Sequence, residues 1–430
     1  MSKPANLPEW LAYQQRVHPR EVDLGLARVR EIFRRLGAGR PAPVVITVGG
    51  TNGKGSTVAF LESMLAAASK KIGTYTSPHL LRYNERIRID GKEAADAALV
   101  DVFARIEAVR GEISLTYFEF ATLAALLIFA ESELDVAVLE VGLGGALDAV
   151  NLIDADVSIV TTVDLDHREY LGDDRNQIGR EKAGIFRNGR PAIIGDATPV
   201  KGLVDEATRI GADIRMAGRD FHVEIADEGW RWRSGTRELA LPAPGLIAGC
   251  QHANAAAAIA ALDALSAGIG WDPEAIARGV AGVQLDARLQ RFNGRCEWLI
   301  DVAHNPQAAS VLAQWLHAHP RDGDNIAVFS ALADKDIGGI VTALDSCFVE
   351  WHLAGMARES PRGLDVVSLR APVEAALGKG RTVSHETLAD ALEAAHVAAA
   401  GHADRVVAFG SFFVAAAALD FARQHALESV

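Results

Sequence analysis

The sequence predicts an α/β protein: a phosphate-loop domain with a mostly parallel sheet, followed by a smaller C-terminal α/β domain. Three observations carry that prediction. Short runs rich in valine and isoleucine alternate with helical runs, the pattern of a parallel sheet covered on both faces. One of these runs leads directly into a glycine-rich turn holding a lysine and two hydroxyls. At 430 residues the chain exceeds what one hydrophobic core normally holds, so two or three domains are expected.

Residues 44–48 read as a strand and 58–68 as the helix after the turn. Residues 72–76 read as a strand, 118–130 as a helix, and 135–141 and 157–163 as buried strands. Pro191–Ile194 and Asp213–Met216 read as shorter strands. Residues 221–238 break the rhythm: Phe-His-Val-Glu-Ile alternates, Asp227-Glu228-Gly229 turns, and Trp230-Arg231-Trp232-Arg233 alternates again, predicting an antiparallel hairpin at the domain edge. An alanine-rich helix follows over 254–267. Strands at 298–303, 325–330, 350–354 and 406–410 then begin a second α/β pattern, so the boundary is expected within 283–289, giving domains 1–286 and 287–430.

Composition narrows the function. A net charge of −13 argues against nonspecific nucleic-acid binding. No apolar run approaches the ~18 to 20 residues of a membrane span, and the opening residues lack the basic-then-apolar layout of a secretion signal. Cys250, Cys296 and Cys347 are widely spaced, give no zinc or disulfide pattern, fit a cytoplasmic protein and read as small core residues. No helix shows a clear unpaired apolar stripe, which leaves the oligomeric state open, a monomer being the expectation.

The run Gly49-Gly50-Thr51-Asn52-Gly53-Lys54-Gly55-Ser56-Thr57 is the richest in chemistry. Glycines let backbone N–H groups close around phosphate oxygens, and a helix N-terminus and Lys54 add positive charge. It departs from G-x-x-x-x-G-K-[ST], because Val48 stands five before Gly53 and Gly55 follows Lys54. The alternative, a plain strand-to-helix turn, leaves the lysine and paired hydroxyls unexplained. The run predicts ATP or GTP binding, with Ser56 or Thr57 reaching magnesium. Glu140 ends a strand before Val-Gly-Leu-Gly-Gly, where open α/β sheets bind ligands, and is placed to hold that metal rather than merely be solvated. His167, after Asp164-Leu165-Asp166, ends another strand; since magnesium prefers oxygen, its residue chemistry alone favours hydrogen bonding. Ser77 precedes a proline as turn residues do, and Lys182 on a helix ordinarily reads as a surface salt-bridge lysine. Asp301 and His304, in Asp-Val-Ala-His-Asn-Pro, are polar tips of the second domain and suggest a nucleotide clamped between domains.

These segments resemble a known family. Residues 50–56 resemble the phosphate loop of the Mur ligase superfamily, and 301–306 its C-terminal domain. The narrower resemblance is to folylpolyglutamate synthase/dihydrofolate synthase. It is carried by 22–28 (Val-Asp-Leu-Gly-Leu-Ala-Arg), 76–80 (Thr-Ser-Pro-His-Leu), 116–119 (Thr-Tyr-Phe-Glu), 140–145, 147–149 (Leu-Asp-Ala), 165–167 and 178–186, in family order from about residue 8 to 420. The resemblance implies that Thr51, Asn52, Gly53 and Lys54, with Gly55, cradle ATP phosphates. It implies two Mg2+ ions, one on Ser56 or Thr57 with Glu140, the other on Ser77, Glu140 and His167, and it admits a monovalent cation. It implies a carbamate on Lys182, which turns a cation into a carboxylate-like group, and nucleotide contacts from Asn254, Arg288, Asp301 and His304. Similar proteins tend to carry Pro-Gly-Arg at the domain junction, where this chain has Asp286-Ala287-Arg288.

The implied reaction is ATP-dependent amide formation through an acyl phosphate, with L-glutamate as the amine. The candidate acids are 7,8-dihydropteroate and the γ-carboxylate of folates. Val22, Asp23 and Leu24, Thr116, Tyr117, Phe118 and Glu119, and Leu147, Asp148 and Ala149 match segments of a dihydropteroate pocket in bifunctional bacterial members. Phe118 offers a surface for a pterin ring or packs in the core, and Asp23 or Asp148 would accept pterin N–H groups. A bifunctional enzyme is therefore expected, before a monofunctional folylpolyglutamate synthase. A UDP-muramyl ligase normally carries a further domain before the phosphate loop, and only 48 residues precede Gly49. A nucleotide-binding regulator without ligase activity is disfavoured by Lys54, Glu140, His167 and Lys182 together.

Overall fold

The computed structural model describes residues 4–226, 228–399, 401 and 403–430. It divides into two compact units. The first holds residues up to Leu165, Leu171–Gly245 and Gln251–Val283; the second holds Asp166–Tyr170, Leu246–Cys250 and Gln284–Val430. The second unit thus takes two short segments from within the expected 1–286 domain. Asp166 joins it because its carboxylate meets Lys335 and His304 there.

In the first unit eight described strands form one sheet, in the order 92–93, 87–89, 72–75, 136–140, 44–49, 157–160, 191–194, 213–216. The first two run antiparallel to their neighbours and the remaining six are parallel. Val44–Gly49 lies between Val136–Glu140 and Val157–Val160, and the chain passes to opposite sides of it. Its C-terminal end is therefore a topological switch point, where such sheets hold ligands. Val45, Ile46 and Val48 are fully buried, as a central parallel strand requires.

The helix after the turn is Lys54–Ala67, four residues longer at its start than the apolar run suggested. Gly53 takes φ +86, and Thr57 N–H donates to its carbonyl at 2.9 Å, so the polar first turn is already helical. Phe60, Leu61, Met64 and Leu65 follow at helical spacing and are buried, each side chain contributing about 1.5–3 kcal/mol. The helix Pro273–Gly282 lies close against it because Gly279 has no side chain; a Cβ there would sit 2.4 Å from Met64 Cα.

The predicted hairpin is a separate three-stranded antiparallel sheet of Phe221–Ile225, Trp230–Ser234 and Arg237–Leu241. Asp227 of its expected turn lies outside the described residues. Trp230 and Trp232 face inward, and Trp232 Nε1 donates to Ala256 O of the helix Gln251–Ile269 at 3.2 Å. The third strand escaped the sequence reading because only Leu239 and Leu241 mark its inner face.

In the second unit seven described strands form a sheet ordered 382–385, 350–354, 325–329, 405–409, 297–300, 290–293, 428–429. Gln290–Asn293 precedes the strand expected to open this unit and pairs antiparallel with Glu297–Ile300. That strand stops at Ile300, so Asp301 to His304 form the loop beyond its tip. Cys296 and Cys347 are buried as expected, whereas Cys250 is exposed. No helix among the described residues is long and apolar enough to cross a membrane.

Candidate active site

The glycine-rich turn occupies the switch point at the end of Val44–Gly49. A set of hydroxyls that the sequence reading passed over holds it in shape. Thr51 N–H donates to Thr162 O at 2.8 Å and Asn52 N–H to Thr162 Oγ1 at 3.1 Å. Thr161 Oγ1 donates to Asn52 O at 2.6 Å, and Thr51 Oγ1 to Asp164 O at 3.1 Å. The strand predicted over 157–163 therefore ends at Val160, because the next two residues serve the neighbouring turn. Gly50 has φ +144, and a Cβ there would lie 1.9 Å from Thr161 Oγ1, so only glycine fits. Gly53 is equally constrained: its Cβ would lie 2.4 Å from Asn254 Oδ1, which places the predicted Asn254 against the turn.

Three charged groups converge here within the first unit. Lys54 Nζ donates to Gly50 O at 3.1 Å and Thr51 O at 3.0 Å. Lys182, expected on a surface by residue type, is buried and donates to the same Gly50 O at 2.9 Å. Its helix, Arg175–Ala183, packs so closely that a Cβ on Gly145 would lie 2.7 Å from Glu181 O. Glu140 is buried at the end of its strand, and one of its oxygens accepts Ser77 N–H at 3.1 Å.

The donors fit a hard divalent cation. Glu140, Ser56 and Ser77 offer oxygen, and Thr57 Oγ1 is fully buried with no protein partner. Among the described residues no group of three or more His, Cys, Asp or Glu side chains could hold a metal unaided. A hydroxyl-rich set sharing Glu140 is compatible with that. His167 belongs to the second unit, has φ +50, and lies 3.9 Å from Asp166 through Nε2.

The three segments expected to form an acid-substrate pocket meet in the first unit. Gly25 N–H donates to Leu147 O at 3.1 Å. Arg28 ties Asp23 to Glu119, donating to their carboxylates at 2.6 and 2.9 Å, and His18 lies 3.3 Å from Asp23. Arg28 stood inside the quoted motif yet was assigned no role; its spacing from Asp23 was the available signal. Thr116 and Glu119 also form a reciprocal capping box on the helix Tyr117–Ala130. Phe118 packs on Gly142, where a Cβ would clash at 2.6 Å, and its ring centroid lies 6.0 Å from that of Tyr75. Asp148 is buried and accepts N–H groups from Gly142, Leu143 and Val150. Burial lifts its pKa to about 6, opposed by these N–H groups and by the Lys54 charge. Val22 and Leu24 are half-buried, Ala149 is buried and Leu147 is exposed.

In the second unit, Asp301 accepts Leu289 and Ala303 N–H groups, both at 2.8 Å. Burial raises its pKa, and the Arg288 charge opposes the shift. Arg288 lies over the Phe412 ring at 5.6 Å, between Ala287 and Leu289, both left-handed at φ +55 and +50. His304 Nδ1 donates to Val302 O at 2.8 Å, which leaves Nε2 facing Asp166 at 3.5 Å. Asp166 also takes Lys335 at 2.5 Å. Burial alone would raise the Asp166 pKa, but the His304 hydrogen bond and the His167, Lys335 and His304 charges hold it well below the usual range.

Comparison with known proteins agrees with this geometry. Residues 48–262 match the Mur ligase middle domain, and residues 287–412 match the Mur ligase, glutamate ligase domain. The chain is 44% identical over 412 residues to the dihydrofolate synthase/folylpolyglutamate synthase of Escherichia coli (strain K12), covering 95% of this chain and 94% of that one. Among solved structures it is similar to E. coli FolC in complex with DHPP and ADP, with a TM-score of 0.91, 42% identity, and coverage of 99% and 100% of the two chains. It is also similar to the Yersinia pestis bifunctional folylpolyglutamate synthase/dihydrofolate synthase complexed with AMPPNP and Mn ion, at TM-score 0.90, 39% identity and coverage of 98% and 99%.

Proposed function

Because the chain belongs to the dihydrofolate synthase/folylpolyglutamate synthase family of ATP-dependent Mur-type ligases, we propose that it joins L-glutamate both to 7,8-dihydropteroate and to the γ-carboxylate of folates. The observation that carries this reading is the Gly50–Lys54 turn at the switch point, with buried Lys182 and Glu140 beside it. The substrate carboxylate attacks the γ-phosphorus of ATP, forming an acyl phosphate and releasing ADP. The amine of L-glutamate then attacks the acyl carbon, loses a proton and expels phosphate.

The chain's own part is positioning and charge neutralisation. Thr51, Asn52, Gly53, Gly55 and Ser56 set the backbone around the phosphates, and Lys54 moves from its loop carbonyls to phosphoryl oxygens. Asn254, Arg288, Asp301 and His304 take the nucleoside side of ATP. Val22 to Leu24, Thr116 to Glu119 and Leu147 to Ala149 frame the pterin. Ser56 or Thr57, Ser77, Glu140 and His167 are assigned to two magnesium ions. When bound, these supply Lewis-acid neutralisation of the phosphoryl oxygens. Lys182 is assigned a carbamate, and a monovalent cation completes the set of cofactors. Intact-protein mass unchanged by bicarbonate, with activity equally indifferent, would remove the carbamate from this account.

The test offers 7,8-dihydropteroate and tetrahydrofolate separately, with ATP and labelled L-glutamate. Label entering both products is expected. Label in the tetrahydrofolate product alone would leave a monofunctional synthase, and label in neither would overturn the reading.

A further inference from the structure

Only two arginines among the described residues are buried, Arg405 and Arg86. Arg405 has a carboxylate partner at 2.6 Å. Arg86, at 7% exposure, has none: among the described residues no carboxylate lies within ion-pairing distance, and its two Nη nitrogens make no hydrogen bond. Holding a guanidinium at that depth without a counter-charge is costly, and natural folds rarely do it without purpose. Glu85, the acid beside it in sequence, is committed elsewhere. Its oxygens accept Leu80, Leu81 and Arg82 N–H groups at 2.7, 2.8 and 2.6 Å.

The surroundings fix Arg86 while leaving its charge in place. Its Nε donates to His79 Nδ1 at 2.8 Å, so the proton of the neutral ring sits on Nε2. The guanidinium lies 5.5 Å from the Tyr83 ring centroid and 5.4 Å from that of Tyr117. Such rings steady a cation without cancelling it. Tyr117 belongs to the 116–119 segment assigned to the acid substrate, and His79 lies two residues from Ser77. A cation fixed by aromatic faces and a neutral imidazole, beside that segment, has the chemistry of a carboxylate receptor.

We propose that Arg86 binds a carboxylate of the acid substrate through its two Nη nitrogens. The proposal rests on the folate-ligase reading and adds to it a recognition residue outside the segments already assigned. The acid has two possible sources for that carboxylate: the group that reacts, or the α-carboxylate that a folate carries beside it.

The experiment measures binding of 7,8-dihydropteroate against its methyl ester, and of tetrahydrofolate against its α-methyl ester, to the full-length protein and to Arg86→Met and Arg86→Lys. The full-length protein should prefer an acid to its ester by about 10- to 100-fold, the worth of a charge-assisted hydrogen bond. Arg86→Met should bind acid and ester alike, with the KM for ATP unchanged. Loss of discrimination in the dihydropteroate pair assigns Arg86 to the reacting carboxylate; loss in the tetrahydrofolate pair alone assigns it to the α-carboxylate. Should Arg86→Met not fold, Arg86→Lys keeps the charge but not the planar fork, and should lower the preference several-fold. A folded variant that discriminates as well as the parent in both pairs overturns this proposal alone. A parent protein that binds neither acid overturns the folate reading and this proposal with it.

Discussion

Arg405 and Arg86 are the same residue at nearly the same depth, and the fold treats them oppositely. Around Arg405 every charge is met: Glu297 accepts from Arg405 at 2.6 Å, from Arg291 at 2.7 Å and from Arg321 at 2.8 Å. Arg405 also donates to His319 O and lies over Trp315. This knot joins three neighbouring strands of the second unit to the end of the helix Pro306–Ala318. Around Arg86 the fold supplies rings and a neutral histidine but no acid. Buried charge that is fully answered holds a structure together. Buried charge held in place but left unanswered is available to a ligand.

That contrast predicts that charges at the sheet end of the first unit govern activity, while those in the knot govern stability. The largest effect should come from Lys54→Ala, which removes the cation of the phosphate turn. Turnover should fall by about 100- to 1,000-fold or more, with the thermal midpoint within a few degrees of the parent. Normal ligase rates from this variant would contradict the assignment of the turn.

Glu297→Ala should do the reverse. It leaves three arginines without their carboxylate, and breaking a buried pair costs about 3–5 kcal/mol. Denaturant midpoints should drop accordingly, while the KM values of the folded fraction stay put. A variant as stable as the parent but poor in catalysis would invert the comparison.

Titration sharpens it further. Burial raises the Glu297 pKa, but the Arg405 and Arg291 hydrogen bonds and charges win, and its folded value is lowered. Its stabilising contribution is fully present above about 4.3 and is lost as pH falls through the lower folded value. Asp148 is the opposite case, raised by burial from 3.8 to about 6. Its contribution is fully present below 3.8 and is lost as pH rises through about 6. Relative to the parent, Asp148→Asn should therefore gain on the order of 2–3 kcal/mol between those limits, whatever its starting offset. A parent-minus-variant difference that is flat across this range would remove the buried-carboxylate explanation.

The smallest effect is expected at the junction. Ala287 occupies φ +55 where similar proteins tend to have glycine. Ala287→Gly should relieve about 0.5–1 kcal/mol of left-handed strain, seen as a rise of a degree or two in the thermal midpoint. A fall would show that the lost Cβ contacts outweigh the strain.

The phosphate turn was legible because its chemistry is contiguous: glycines, lysine and hydroxyls stand side by side between a strand and a helix. Lys182 was misplaced by residue type alone, since its burial depends on Gly50, 132 positions away. Thr161 and Thr162 were read as strand because nothing local reveals that their hydroxyls reach a turn about 110 residues upstream. That Asp166 groups with the second unit is hidden for a similar reason, its partner Lys335 lying 169 positions on. The 22–28, 116–119 and 147–149 segments could be quoted from a family likeness. Their meeting, through Gly25 to Leu147 and Arg28 to Glu119, needed the fold. What the sequence hides is consistently the long-range partner that decides whether a polar group is solvated, satisfied or poised.

The central claim is that the turn at the end of Val44–Gly49 directs phosphoryl transfer onto a carboxylate. It is tested most directly with 7,8-dihydropteroate carrying oxygen-18 in both carboxylate oxygens, incubated with ATP, magnesium and L-glutamate. The account predicts that the released inorganic phosphate carries one labelled oxygen and the amide product retains the other. Unlabelled phosphate alongside amide product, or label appearing in AMP, would contradict it.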